Sequence, residues 1–480
     1  MGVSHNTVIR GGVGIFYDPS PGSLFDFSGN PPLLNSYTIN GDNLAPKETT
    51  SLFKDASASN AAFVNGFANG QTLAQIQATD PNFSPPAINV AAKRMDSPQY
   101  QRWSLQLQQA FGAGTSVSIG YFGHHGIHEL ALNNSANAYC NPAVVTLPNG
   151  GANPCFGFTS DLPLSVPDPR FGQVTEITSA AVSNYNGMVV SFQHRFTRWT
   201  EGMLQANYTW GHALDEVSNG GYFSFTSSSS LYPQDPNNPR GAYGPAEYDV
   251  RHSLNANYVW ELPVKAALGG RGPDSLEKGW QVSGTIFART GFPYTVFDFE
   301  ESGILQQNNY FGSLYAVPVG PLGPQASCGE PAATPPGLHP CQPPQVLMDG
   351  TPNPKANFIQ AGCETGFNTG HLGASGSCNG PVVSFAQGRN LFRGPNYFNT
   401  DLAVMKNTKV PRWENAVLGI GFQCFNLFNH TNFQTPDNGI SDPNFGQIAN
   451  PEQPPTSILG GFFAGDVSAR MIQLKAQLRF

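Results

Sequence analysis

Three groups of side chains in this sequence have types and spacings that could do chemistry. The first is the stretch "GHHGIHEL", which carries His124, His125 and His128. Imidazoles are common metal ligands, but no carboxylate or cysteine cluster stands at a conventional spacing from these three. The simpler interpretation is a loop that begins where a strand ends, and we expect no metal site here.

The second group lies in the stretch 232–249, "YPQDPNNPRGAYGPAEYD". Its oxygen-bearing side chains are of the kind that calcium binds: Asp235, Asn237, Asn238, Glu247 and Asp249. Their irregular spacing matches no EF-hand loop, and turn formation by Asp, Asn, Pro and Gly explains the composition as well. We expect turns and no cofactor, with calcium as the alternative.

The third group is the cysteines, six of which fall in two long stretches rich in glycine and proline. They form three sequence-adjacent pairs: Cys140 with Cys155, Cys328 with Cys341, and Cys363 with Cys378. In an oxidising compartment a disulfide would clamp each loop and contribute about 2–4 kcal/mol. Other pairings in the second stretch stay open, and the C-x-x-C of a zinc ribbon is absent. The seventh, Cys424, has the spacing of a small buried apolar residue on the lipid-facing side of a strand.

Sequence motifs of catalysis are missing from the chain. It has no G-x-S-x-G elbow, no H-E-x-x-H and no phosphate-binding glycine loop. The net charge of −8 is spread along the chain, and no basic block follows the spacing of phosphates. We therefore expect neither an enzyme nor a partner that is nucleic acid.

The elements that position these residues are strands, because apolar and polar residues alternate along much of the chain. The closing "RMIQLKAQLRF", for example, puts Ile472 and Leu474 on one face and Gln473 and Lys475 on the other. Besides this last strand, the alternation predicts nine more: 7–18, 101–111, 115–123, 186–196, 202–212, 250–260, 279–290, 397–407 and 415–425. One short helix is predicted within 60–78.

The connections between these strands are short and long in strict alternation. The long ones are 19–99, 124–185, 213–249, 291–396 and 426–469. In an up-and-down antiparallel sheet this order puts every short turn on one rim and every long loop on the other. Outer-membrane barrels have this asymmetry, with short periplasmic turns and long extracellular loops. The alternative is a large soluble β-sandwich whose apolar face is its core.

Aromatic residues collect at the ends of the predicted strands, as they do at the two headgroup layers around a barrel. On the short-turn rim we predict a girdle of Phe111, Phe196, Trp260, Trp280 and Phe480; near the other rim, Trp103, Tyr121 and Trp210. The polar residues that alternate with the apolar ones along each strand point to the other face, where we predict a polar lumen wall with Gln106, Gln205, Asn207, Asn255 and Gln473.

Several stretches, in order along the chain, resemble the barrel of the Oar-like TonB-dependent receptors of the Gram-negative outer membrane. They include "RGGVGIFYD", "YNGMVVSFQHRFTRWTEGMLQANYTWGHALDE", "EYDVRHSLNANYVWELP", "GRNLFRGPNYFNTDLAVMKN" and the closing strand. The terminal Phe480 also resembles the signal that the barrel-assembly machinery reads. The resemblance implies an antiparallel up-and-down transmembrane β-barrel that contacts the lipid bilayer.

Members of that family carry a signal peptide, a TonB box and a plug domain, and no such segment is visible in residues 1–480. Plugged transporters have about 22 strands, so ten strands imply the carboxy-terminal part of a barrel, whose plug would contact TonB. The implied function is uptake of a large polar nutrient, a glycan or a peptide, captured by the long loops. The alternatives are a passive channel, a surface-adhesion barrel and a secreted carbohydrate-binding β-protein.

Overall fold

A computed structural model gives the structure of the protein. It describes residues 6–18, 30, 52–79, 85–140, 162–196, 201–218, 235, 238–270, 272–297, 309, 315, 317–318, 358–359, 389–410, 413, 416–436, 438 and 469–480.

Ten long strands form one antiparallel sheet in which each strand pairs with the next along the chain. They are β1 Thr7–Tyr17, β2 Gln99–Phe111, β3 Thr115–Asn133, β4 Val174–Phe196, β5 Gly202–Asp215, β6 His252–Glu261, β7 Trp280–Arg289, β8 Tyr397–Lys409, β9 Val417–Phe425 and β10 Met471–Arg479. All ten predicted strands are therefore confirmed, as is their up-and-down order.

Two strands run well beyond their predicted ends. β3 continues to Asn133 and β4 begins at Val174, so the prediction of a loop over the whole of 124–185 was wrong at both of its ends. The pairing of β3 with β4 persists there through two irregularities, near Gly126 and near Glu129. Such bulges absorb extra residues and break the alternation that marks a strand in sequence.

α-Helices occupy two of the connections, and a 3-10 helix, Pro239–Ala242, lies in a third. The predicted single helix over 60–78 is two helices, α1 Leu52–Ala68 and α2 Leu73–Thr79, separated near Gly70, whose φ is 76°. A capping box starts α2, because Thr72 and Gln75 each bond the other's backbone N–H. The other two α-helices are α3 Val264–Ala267 and α4 Asp274–Glu277. Within the described residues, no helix has the length and apolar character needed to cross a membrane.

Short strands gather at the end of the sheet where the long loops leave it. Ile88–Ala91 runs parallel to the start of β4, and Gly244–Pro245 pairs with the end of β5. Two further pairs lie within the connection from β7 to β8: Pro293–Tyr294 with Phe392–Arg393, and Val317–Pro318 with Phe358–Ile359. The connection is therefore structured at both of its ends.

The register gives the sheet one apolar face and one polar face. Leu107 of β2 stands opposite Ile9 of β1 and Ile119 of β3, and at the other edge Phe422 stands opposite Leu474. These apolar side chains are exposed, Leu474 at 84%. Fully buried large side chains lie instead at the long-loop end, and among them are Tyr294, Val296, Phe297 and Arg389.

Candidate functional site

The polar face runs across the sheet as continuous rows of amides and hydroxyls. One row joins Gln108, Ser118, Ser191, Asn207 and Asn255 on five successive strands. The five residues predicted for a lumen wall all have this parity: Gln106, Gln205, Asn207, Asn255 and Gln473. Their position on one polar face is as predicted, and their role in lining a lumen stays a prediction.

At the long-loop end of the strands lies a buried ion-pair cluster around Arg389, whose side chain is 1% exposed. Its guanidinium pairs with Asp215 at the end of β5 and donates to the Ser218 hydroxyl and the Ala242 carbonyl, both at 3.3 Å. Glu247 Oε1 lies 3.8 Å away. Burial lowers the pKa of Arg389 to about 9, which still leaves the guanidinium a cation at pH 7.

A second cluster centres on Asp249, which is also buried. Its carboxylate pairs with Arg393 and, at 3.3 Å, with Arg251, and it accepts a 2.7 Å hydrogen bond from the backbone N–H of Ala213. Arg251 Nη2 lies 2.8 Å from Nε2 of His212. Charge-assisted bonds of this kind fix the positions of both partners.

Together the two clusters attach the long loops to the sheet. Arg389 and Asp215 are 174 residues apart in sequence, and the pair joins the far end of the connection 291–396 to the start of the connection 213–249. Glu247 and Asp249 add the end of the latter connection. We did not predict this site from the sequence, although part of its signal was present: charged residues are rare in this chain, and Asp215, Glu247 and Asp249 lie within three residues of a predicted strand end.

Beside the clusters, the polar face carries an aromatic patch formed by Phe16, Tyr100, Arg102 and His124. The Arg102 guanidinium lies over two rings, 5.3 Å from the centroid of Phe16 and 5.7 Å from that of Tyr100. The Tyr100 and His124 rings meet edge to face at 5.7 Å. This patch combines a cation with flat apolar surfaces.

The three predicted histidines lie on β3 and not in a loop, so that expectation was wrong. His124 and His125 are neighbours on a strand and point to opposite faces. His124 Nε2 is 3.3 Å from the Ser183 hydroxyl, and His125 Nδ1 is 2.8 Å from Asn184 Oδ1. His128 has φ 56° at the irregular part of the strand. Throughout the described residues, no group of three metal-binding side chains is present.

The described candidate calcium ligands form ion pairs and turn hydrogen bonds in the structure. Glu247 and Asp249 already face guanidinium groups. The Asn238 N–H donates to the carbonyl of Asp235 at 3.1 Å, which is turn chemistry. Asn237 lies outside the described residues.

The cysteines are described only in part. Cys140 is disulfide-bonded, and its pairing with Cys155 stays a prediction because that residue lies outside the described ranges. The same holds for the pairs Cys328 with Cys341 and Cys363 with Cys378. Cys424 is a free, buried thiol opposite Leu402 and Ile472, which confirms the prediction of a small buried residue on the apolar parity.

The predicted girdle residues lie near the two ends of the apolar face. Phe196 and Trp260 flank Gly202 in one row, and Tyr121 and Trp210 flank Met188 in another. Eight residues of β5 separate these rows, which is about 27 Å along a strand and about 20 Å across a bilayer at a barrel's tilt. That is close to the usual apolar band of about 25 Å.

The other girdle residues have specific contacts. Trp103 lies over Gly123, where a Cβ would overlap the indole ring. Trp280 donates to the Leu276 carbonyl at 2.9 Å. Phe111 is 57% exposed and Phe480 84%, the latter 6.0 Å from the ring of Trp413. Their residence at the membrane interface stays a prediction.

Solved structures with a similar course of the chain include the outer membrane transporter YddB from Escherichia coli and the FpvAI–pyocin S2 complex. YddB is 8% identical with a TM-score of 0.35, and the match covers 82% of this chain and 34% of that one. The FpvAI–pyocin S2 complex is 10% identical with a TM-score of 0.31, and the match covers 75% of this chain and 27% of that one. This chain therefore spans about a third of the length of these structures.

The sequence matches the family described as the outer membrane beta barrel domain over residues 2–473. No curated protein matches the chain. The family match excludes the soluble β-sandwich and the secreted binding protein, and the exposed apolar face is the one that meets lipid. The chain therefore belongs to the outer membrane beta barrel domain family and lies in the outer membrane of a Gram-negative bacterium.

Proposed function

We propose that the chain is part of the barrel of an Oar-like TonB-dependent receptor that imports a large polar nutrient. The observation that carries the proposal is the pair of buried ion-pair clusters that roots two long loops above a continuous polar face. A passive pore for small solutes needs no such fixed entrance. A receptor does, because a preorganised site loses less entropy when it binds its ligand.

The chemistry of this entrance and of the polar face below it favours a ligand with many hydroxyl or amide groups. Amide side chains such as Asn207 and Asn255 match such groups by donating and accepting hydrogen bonds. Exposed rings at the long-loop end, such as Phe16, offer flat surfaces on which sugar rings or side chains can stack. A glycan or a peptide fits this combination.

We also propose that further strands complete the barrel. Among the described strands, β1 pairs only with β2, and β10 pairs only with β9. Unpaired backbone groups in hydrocarbon cost several kcal/mol each, so both edges need partners. A barrel of about 22 strands around a plug would supply them. The plug would then contact TonB, and Phe480 would present the assembly signal.

Uptake in the native bacterium tests the transport proposal. Labelled glycans and peptides are supplied to the parent strain, to a strain lacking the gene for this chain and to a strain lacking TonB. We expect uptake of at least one compound to require both genes. Uptake that needs this chain and not TonB would show a passive channel, and loss of surface attachment without any loss of uptake would show an adhesion barrel.

Purified residues 1–480 test the proposal that the barrel needs further strands. We expect no ion conductance in planar bilayers and no change in electrophoretic mobility on heating, because the two sheet edges stay open. A stable, heat-modifiable pore formed by this segment alone would contradict the proposal.

A further inference from the structure

The ten long strands carry a charge balance opposite to that of the whole chain. They hold eight cationic and five acidic residues, a balance of +3, whereas the chain has a net charge of −8. By register, seven of the cationic residues and all five acidic ones have the parity of the polar face. The cationic ones are Arg10, Arg102, Arg195, Arg289, Lys409, Lys475 and Arg479. The negative charge of the protein therefore lies outside the strands.

Three of the five acidic residues on this face are already engaged. Asp215 pairs with Arg389, Glu129 accepts a 2.7 Å hydrogen bond from Ser183, and Asp401 accepts a 2.9 Å bond from the backbone N–H of Asn426. A wall with excess positive charge raises the local concentration of anions.

Arg102 is the cation on this wall that is best placed to bind. It is exposed and lies over the rings of Phe16 and Tyr100, and it has no ion-pair partner among the described residues. Asp18 and Glu129 are the carboxylates near Tyr100, and neither forms an ion pair with Arg102. A guanidinium that stacks on rings keeps its edge free for a bidentate bond to a carboxylate.

We infer that the patch of Phe16, Tyr100, Arg102 and His124 binds the carboxylate groups of an anionic ligand. This inference rests on the proposed function, since it names the chemical class of the imported nutrient. Arg102 bonds the carboxylate edge to edge, and the two rings contact the apolar atoms beside it. His124 adds a third ring to the patch, because its ring makes an edge-to-face contact with that of Tyr100.

Calorimetric binding to the full-length receptor, purified in detergent from its native outer membrane, tests the inference. Two matched pairs of probes are used: tetragalacturonate with neutral maltotetraose, and tetra-aspartate with tetra-asparagine. We expect the acidic member of at least one pair to bind more tightly, with an affinity that falls as salt rises. Arg102→Gln should weaken that binding about tenfold or more, as loss of a charge-assisted bond does.

Two further variants separate the contribution of the bidentate geometry of Arg102 from the contribution of positive charge. Arg102→Lys keeps the charge and loses the bidentate geometry, so we expect an intermediate affinity. Lys278→Gln removes one positive charge at the opposite rim, where the side chain is 60% exposed, and should leave binding unchanged.

The inference is overturned if neither acidic probe binds more tightly than its neutral partner, or if Arg102→Gln binds the acidic probe as tightly as the parent protein. Either result would leave the transport proposal intact, because TonB-dependent uptake is measured independently. Arg102 is exposed, so its substitution removes no buried contact, and unchanged heat modifiability of each variant would establish that the barrel is folded.

Discussion

The ion pairs at one end of the sheet are buried, and those at the other end are exposed to solvent. At the long-loop end, Arg389 and Asp215 form an ion pair whose side chains are 1% and 4% exposed. At the short-turn end, Asp274 pairs with Lys265 and Lys278, and all three side chains are at least 34% exposed. The same kind of bond is therefore buried in one place and solvated in the other.

This difference decides how much each pair matters. A buried charge that loses its partner keeps the full cost of its desolvation, whereas an exposed charge is solvated by water and gains little from its partner. The long-loop end should therefore tolerate few substitutions of its charged residues, and the short-turn end many. The predictions that follow test this contrast, beginning with the largest expected effect.

Substitution Arg389→Met should be the most destabilising. It leaves Asp215 and Glu247 as buried carboxylates without their cation, for which about 3–5 kcal/mol is typical. The thermal midpoint of the protein, extracted from the outer membrane in detergent and followed by heat modifiability, measures the loss. The matched control is Lys265→Met at the other end, and equal shifts in the two variants would contradict the contrast.

The double variant Arg389→Met with Asp215→Leu sharpens this test. Replacing both members of a buried pair by apolar residues of similar size is often close to neutral. We expect part of the lost stability to return in the double variant, with Glu247 accounting for the remainder. No recovery would mean that Arg389 acts through its packing and not through its charge.

The two faces of β2 should respond differently to the same new charge. Leu107 has the lipid-facing parity and its neighbour Gln108 the polar parity. Arginine on the lipid face near the bilayer midplane costs about 2–4 kcal/mol, so Leu107→Arg should destabilise the barrel and Gln108→Arg should not. Denaturant unfolding in lipid vesicles measures both, and similar losses would show that the apolar face is not in contact with lipid.

The sequence predicts one end of this sheet better than the other, and for a physical reason. Between the girdles every second residue must be apolar, so strands such as β5 could be located almost to their ends. Beyond the lipid no such constraint exists, and bulges near Gly126 let β3 continue to Asn133 without alternation. That is why the histidines were expected in a loop.

The ion-pair clusters could not be predicted for a different reason. Their members come from three stretches separated by loops of unrelated length, and Arg389 comes within bonding distance of Asp215 only when β5, β6, β7 and β8 are side by side. Sequence alone showed Glu247 and Asp249 as oxygen donors and hence as candidates for calcium. Their true partners, Arg389, Arg393 and Arg251, became identifiable only from the fold.

A smaller effect is expected at Glu216, which is 1% exposed at the long-loop end. Burial raises the pKa of this carboxyl above its ordinary 4.5, although its Oε2 accepts a bond from the Val182 N–H at 3.2 Å. The parent protein therefore loses stability as pH rises from about 4.5 through the raised value. Glu216→Gln keeps an acceptor and removes the charge.

The Glu216→Gln variant should accordingly match the parent at low pH and exceed it in thermal midpoint once the pH passes the raised pKa, with a gain smaller than the loss in Arg389→Met. Thermal unfolding measured between pH 4 and pH 8 tests this. A gain that is already complete at pH 4 would contradict an origin in ionisation.

The smallest effect is expected at Asp274, whose pKa moves in the opposite direction. Hydrogen bonds from Lys265 and then Lys278 lower the pKa of this carboxyl to about 2. Any stability it contributes is present above the ordinary value near 4 and is lost as pH falls toward 2. Because water and salt screen these exposed charges, Asp274→Asn should leave the thermal midpoint unchanged at pH 7, in low salt as in high. A clear loss at pH 7 would mean that the short-turn end depends on its ion pairs too, and the contrast between the two ends would fail.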